Sequence, residues 1–220
     1  VFGGWGEFFE GVSGMKVKIC GLRTEEAVLA AEDAGADFLG FIFYEKSHRH
    51  VLPEEVRGLT KHVQRAKTVG VFVDAPLDEV NAAADFCSLD FVQLHGHESA
   101  AYARAICRPV IKAFRWGDDF SAEEANDYPA EIILLDSFSK DAVGGTGQRF
   151  RWREAAEETA RLEKPLLVAG GIASGNVREA EAVFRPYGVD VSGSLEIEKR
   201  KSIERIREFM AVVQKRRIPE

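Results

Sequence analysis

Lys16-Val17-Lys18-Ile19-Cys20-Gly21 opens a pattern that runs the length of the chain: a short apolar run that breaks off at its carboxyl end into residues with chemistry. Seven more runs follow, at Phe38–Phe43, Thr68–Val73, Phe91–Leu94, Val110–Phe114, Ile132–Asp136, Leu166–Gly171 and Val189–Ser192. The stretches between them have helical periodicity and recognisable starts, such as Thr24-Glu-Glu26 and Pro53-Glu-Glu55. Strand and helix therefore alternate eight times, which calls for parallel strands with helical crossovers. A doubly wound open sheet uses the same units, but eight complete units in about 200 residues favour closure into an α/β (β/α)8 TIM barrel. In such a barrel the strand carboxyl ends converge on one face, where chemistry is done. The expected helices include 98–107, 121–127, 152–162 and 202–214, with the longest loop over 137–150.

Composition narrows the class. The chain has 220 residues, 45% of them hydrophobic, and a formal charge of −7. One substantial core is affordable at that size, and no break in composition divides residues 15–220, so a single domain is expected there. Basic residues are scattered, which argues against a nucleic-acid partner, although a small anionic ligand needs no basic protein. No apolar run approaches the roughly 20 residues that span a bilayer. Three cysteines, Cys20, Cys87 and Cys107, form no disulfide framework and suggest reduced thiols in a cytoplasmic protein. Residues 1–14, rich in Gly and aromatics and lacking a basic segment, do not read as a signal peptide. Met15 follows directly, so 1–14 is expected to be an upstream or cloning-derived extension.

Alternation of strand side chains sharpens the candidates. Val17 and Ile19 form the apolar set that a barrel turns outward onto its helices, which leaves Lys18 and Cys20 facing inward. Cys20 reads either as a small buried hydrophobe or as a reactive thiol. Its place at a strand end, two residues from a lysine on the same face, supports the second, because a nearby cation lowers a thiol pKa. Cys87 and Cys107 fall on helical stretches and are expected to pack. Asp136 ends an otherwise apolar run with no helix directly after it, so a site role is favoured over a cap. A partly buried carboxylate has a raised pKa and can act as a general acid.

Glycines mark a phosphate site. Gly144-Gly145-Thr146-Gly147 lies in the long loop after run six and suits a lid. Gly170-Gly171 follows run seven, and Ser192-Gly193-Ser194 follows run eight. Loops seven and eight are where such barrels commonly hold phosphate on backbone N–H groups. The pairs His48/His50 and His95/His97 lie in loops with no acidic residue tied to them by spacing, so no metal site is expected. Arg49 can fork onto a carboxylate or phosphate, or it can be a solvated loop arginine; Arg115, at the end of run five, carries the same two readings.

These residues, taken in order, resemble the phosphoribosylanthranilate isomerase family. The matching stretches are Lys18–Gly21, Ser47–Val51, Gln93–Gly96, Leu134–Ser137, Gly144–Gly147, Ala169–Ile172 with Asn176-Val177, and Gly188–Ser192. The resemblance implies a TIM barrel without a cofactor that performs an Amadori rearrangement of N-(5′-phosphoribosyl)anthranilate, a step of tryptophan biosynthesis. It implies Asp136 as acid and Cys20 as base. Arg49, His95 and Arg115 then bind substrate, and Gly145, Gly147, Gly170, Gly171, Ser192, Gly193 and Ser194 bind phosphate. Its partner is the small-molecule phosphoribosyl-anthranilate substrate, and monomers and homodimers both occur in the family. The chain departs from the family at Ser194, where a glycine is common and where a side chain could crowd the phosphate or donate to it. It departs again at Arg151, which stands where an aspartate often precedes the tryptophan and so affects local helix capping. A related histidine-pathway isomerase would carry two aspartates as acid and base, which Cys20 argues against. A non-catalytic phosphometabolite-binding barrel would not need both Cys20 and Asp136.

Overall fold

A computed structural model describes residues 14–117, 119–136 and 145–215. The extension expected over 1–14 lies, apart from Gly14, outside the described residues, as does 137–144, which includes most of the proposed lid. The first half of the chain runs β1 (Lys16–Cys20), α1 (Glu25–Asp33), β2 (Phe38–Ile42), α2 (Pro53–Thr60), β3 (Lys67–Phe72), α3 (Leu77–Phe86), β4 (Phe91–Leu94) and α4 (Ala100–Arg104). It continues with β5 (Val110–Arg115), α5 (Ala122–Asp127), β6 (Ile132–Asp136), α6 (Gly145–Thr159), β7 (Leu166–Ala169), α7 (Val177–Phe184) and β8 (Gly188–Val191). A 3-10 turn (Gly193–Leu195), a small hairpin of β9 (Glu196–Ile197) and β10 (Arg200–Lys201), and α8 (Ile203–Gln214) complete it.

The first eight strands close into a barrel in sequence order. Closure runs through parallel pairing of β1 with β8, where Lys18 is opposite Asp190 and Ile19 opposite Val191. Two apolar cores follow from the alternation. Val17, Ile19, Leu39, Phe41, Val92, Leu94, Ile133, Leu135, Val168 and Val189 face the helices in the larger one. Phe38, Val69, Phe91, Ile111, Ile132, Leu134 and Leu167 fill the barrel's interior, with Phe38 and Phe91 packed edge to face at 5.8 Å. Each such side chain, fully buried, contributes about 1.5–3 kcal/mol, so the lower interior is a stabilising plug. Above it the inward positions turn polar, and that layer is the floor of the site.

Helix starts follow local chemistry. Thr24, Ser99, Ser121 and Ser202 each accept a hydrogen bond from an N–H in the first turn of the helix that follows. Two boundaries differ from the sequence reading. The helix α4 starts at Ala100 rather than at 98, because the Glu98 carboxylate is buried elsewhere, accepting from the N–H groups of Asp74 and Gly96 and from Lys112 Nζ at 2.8 Å. The helix α6 starts at Gly145 rather than Trp152, which places Gly145 and Gly147 in its first turn, where N–H groups lack intrahelical acceptors. Cys87 is buried as expected, but Cys107 is exposed. The early end of α4 at Arg104 leaves it in a connecting segment beside Asp85 and Arg108.

Candidate active site

At the strand carboxyl ends lies a cleft of about 520 Å³, lined by Cys20, Tyr44, Ser47, Arg49, Gln93, His95, Asp136, Gly170, Gly171, Asp190, Ser192, Gly193 and Ser194 among others. Most of the residues singled out in the sequence therefore meet in one cavity. Arg115 stands at its rim: it pairs in register with Asp136 across β5 and β6, but its side chain is exposed. Gly145 and Gly147 lie at the start of α6.

Cys20 is buried at the end of β1. Beneath it Lys18, with no exposed surface, places Nζ 3.0 Å from Asp190 Oδ1 on β8. The close approach depends on Gly40: a Cβ there would lie 2.9 Å from Cys20 Sγ and 3.1 Å from Lys18 Nζ. The neighbouring lysine does lower the thiol pKa, as expected, but it does not set the net direction. Burial pushes the Cys20 thiol up; Lys18 pulls it down, but Asp190 offsets part of that pull, and the net direction is upward. The lysine itself stays charged, since Asp190 and Cys20 outweigh the effect of its burial. Asp190→Asn is expected to cost roughly 3–5 kcal/mol, read as a lower denaturant midpoint, because it strands a buried ammonium. Lys18→Met should cost less, since Asp190 reaches the cleft, while moving the thiolate-dependent limb of the pH profile to higher pH. An unchanged profile would show that Lys18 has no hold on the thiol.

Arg49 is held by the protein before any ligand arrives. The loop after β2 folds back on its own strand through Val51 N–H to Ile42 O (3.0 Å) and His50 N–H to Ser47 O (3.0 Å). The guanidinium forks onto Glu196, with Nε donating to Oε1 at 2.6 Å and a terminal nitrogen to Oε2 at 2.9 Å. Its stem passes Gly21, whose φ of +80° suits glycine and where a Cβ would sit 2.5 Å from Arg49 Cδ. Lys201, almost fully buried, donates to the same Glu196 at 2.8 Å and to the Ser192 carbonyl at 3.1 Å. Burial works against the Glu196 charge, but the hydrogen bonds from Arg49 and Lys201 prevail and hold its pKa at about 2.

The glycine cradle is formed by loops seven and eight. Gly170 and Gly171 both adopt positive φ, +89° and +73°. The 3-10 turn Gly193–Leu195 follows β8, and its Gly193 and Ser194 line the same cleft. The Ser194 hydroxyl donates to the Ile172 carbonyl at 2.6 Å, joining the two loops. Ser192 Oγ donates to the Cys20 carbonyl at 2.9 Å. Among the described residues no group of three or more His, Cys, Asp or Glu side chains is gathered as a metal would require. His48 instead reaches Glu196, and His97 reaches Asp74.

A family model described as N-(5′-phosphoribosyl)anthranilate (PRA) isomerase matches residues 17–212. The chain belongs to this family. Phosphoribosylanthranilate isomerases supply its similar sequences as well. That of Geobacter sp. (strain M21) is 47% identical over 205 residues, which cover 91% of this chain and 98% of the relative. Among solved structures, phosphoribosyl anthranilate isomerase from Thermotoga maritima superposes with a TM-score of 0.82 at 34% identity, covering 91% and 99% of the two chains. A phosphoribosyl anthranilate isomerase in complex with reduced 1-(o-carboxyphenylamino)-1-deoxyribulose 5-phosphate gives 0.80 at 33% identity, with the same coverage. The chain is thus an isomerase of the phosphoribosylanthranilate isomerase family on a TIM barrel. Among its described residues no helix is long and apolar enough to cross a membrane.

Asp190 and Gln93, which line this isomerase cleft, and Glu196 and Lys201, which hold Arg49 from behind, were not singled out by the sequence reading as site residues. Asp190 could have been found by the same alternation that exposed Lys18, since it is the lone charge inside run eight. Gln93 sits inward two residues before His95 and had the same signal. Glu196 and Lys201 belong to a polar segment without periodicity, and nothing local distinguishes them.

Proposed function

We propose that the chain converts N-(5′-phosphoribosyl)anthranilate to 1-(2-carboxyphenylamino)-1-deoxyribulose 5-phosphate, a step of tryptophan biosynthesis, with Asp136 as general acid and Cys20 as general base. Family membership carries the reaction. The observation that supports the division of labour is that a thiol on β1 and a carboxylate on β6, separated by β7 and β8, line one cleft with a cation and a glycine cradle.

Asp136 gives a proton to the ribose ring oxygen as the C1′–O bond breaks and the amine lone pair forms the Schiff base. The Cys20 thiolate removes the proton from C2′, and the electron pair of that C–H bond moves into the enolamine, which tautomerises to the ketone. Phosphate is held by N–H groups of loops seven and eight around Gly170, Gly171, Ser192, Gly193 and Ser194, with Gly145 and Gly147 adding the start of α6. Glu196 occupies one edge of Arg49, so the arginine offers its remaining N–H groups to the anthranilate carboxylate. His95 contacts the sugar and Arg115 meets the substrate at the rim. Every one of these residues comes from one chain, so a monomer or a homodimer would serve equally. A base that must remain a free thiol suits a reducing cytoplasm.

The test is the fluorescence of phosphoribosylanthranilate followed as purified protein consumes it. Turnover is expected. A folded protein that leaves the signal unchanged would sink the reading.

A further inference from the structure

Gln93 is buried to 1% exposure on the inward face of β4, at the floor of the cleft. Its Nε2 lies 3.0 Å from His95 Nδ1. Its Oε1 is buried without a hydrogen-bond partner, and no other described side-chain oxygen or nitrogen is in that position. An unmade bond to a buried acceptor carries that atom's full desolvation cost, so a fold tolerates it chiefly where something else completes it.

The His95 ring supplies the second half of the argument. Burial pushes its pKa below the ordinary range; Asp136 and Asp190 pull it up, while Lys18 and Arg115 push it further down, and the net direction is downward. A neutral imidazole carries one N–H. With Nδ1 accepting from the Gln93 amide, that proton sits on Nε2.

We infer that Gln93 is a positioning and substrate-binding residue: its amide N–H sets His95 as the Nε2–H tautomer, and its Oε1 accepts from a hydroxyl of the ribosyl chain. The inference rests on the reaction proposed above. Strand β4 then presents one acceptor and one donor, two residues apart, to the sugar whose C1′ and C2′ lie between Cys20 and Asp136. A hydroxyl is both donor and acceptor, so the pair can bind two neighbouring hydroxyls or one hydroxyl from two sides. The inverse orientation of the amide would put the ring proton on Nδ1 and aim NH2 at the sugar, which separates the two cases experimentally.

Two measurements decide it. First, 15N spectra of the ring in the free protein, assigned through His95→Asn, should show Nε2 protonated and Nδ1 bare; a proton on Nδ1 would overturn the assignment. In Gln93→Glu the carboxylate should draw that proton onto Nδ1, a change that a merely space-filling residue would not cause. Second, Gln93→Met keeps the volume and removes both polar atoms. Its Kd for reduced 1-(o-carboxyphenylamino)-1-deoxyribulose 5-phosphate should rise about tenfold, as loss of one buried hydrogen bond implies, with the far-UV spectrum unchanged. Equal affinity in a folded Gln93→Met would refute the acceptor role. Should the wild type turn over substrate while both β4 results fail, this inference falls alone; should the wild type be inert, the reaction falls first.

Discussion

Cys20→Ser is expected to lower kcat by about 10²- to 10⁴-fold, the range that removal of a general base covers, with KM little changed. Serine keeps the size of the side chain and its place above Lys18, so binding contacts survive. It does not keep the acidity: a hydroxyl yields its proton far less readily than a thiol. The surroundings do not compensate, because burial already pushes the native thiol upward and Asp190 offsets part of the help from Lys18. The same fact sets the sign of the wild-type pH dependence. With the thiol pKa above its ordinary value, the thiolate is a minor form at neutral pH, so kcat/KM should climb as pH rises from 6 toward 9. A flat profile across that interval, or full activity in Cys20→Ser, would remove Cys20 from the base role and leave the isomerase reading intact.

Asp136→Asn should cause a loss of similar size, about 10²- to 10⁴-fold in kcat, for a different reason. Asparagine matches the carboxyl group in shape and keeps its place in register with Arg115 and Ala169, but it has no proton to give to a leaving ring oxygen. The two variants can be told apart by labelling the substrate with deuterium at C2′. In Cys20→Ser, C–H cleavage becomes slowest and the isotope effect should grow. In Asp136→Asn, ring opening becomes slowest and the effect should shrink toward unity. A growing effect in both variants would mean that Asp136 works on the proton-abstraction step instead.

The barrel and the cleft at its strand carboxyl ends were readable from strand-end residues because each strand alternates with period two, and an inward polar residue breaks an apolar run visibly. Cys20 and Asp136 were legible for that reason. Arg49 was legible as a cation but not as one already engaged, since Glu196 lies 147 positions away in sequence and the hairpin that carries it has no periodic signal. The net direction of the thiol shift was misread because alternation shows Lys18 but neither the larger cost of burying the thiolate nor Asp190 across the β1–β8 seam. The late start of α4 was hidden by a tertiary contact: Glu98 is drawn into a buried pair with Lys112, which no local preference announces.

The bonds around the mouth form a continuous arc. Ile172 after β7 receives Ser194, Ser192 reaches Cys20 on β1, Lys201 joins Ser192 to Glu196, and Glu196 grips Arg49 after β2. Groups proposed to meet a phosphate at one end and a carboxylate at the other are thereby immobilised when the chain folds. A ligand arriving there has little conformational freedom left to freeze, so affinity on this half of the cleft is governed by complementarity. A substitution that cuts the arc at Lys201 or Ser194 would therefore weaken binding by restoring motion to the mouth.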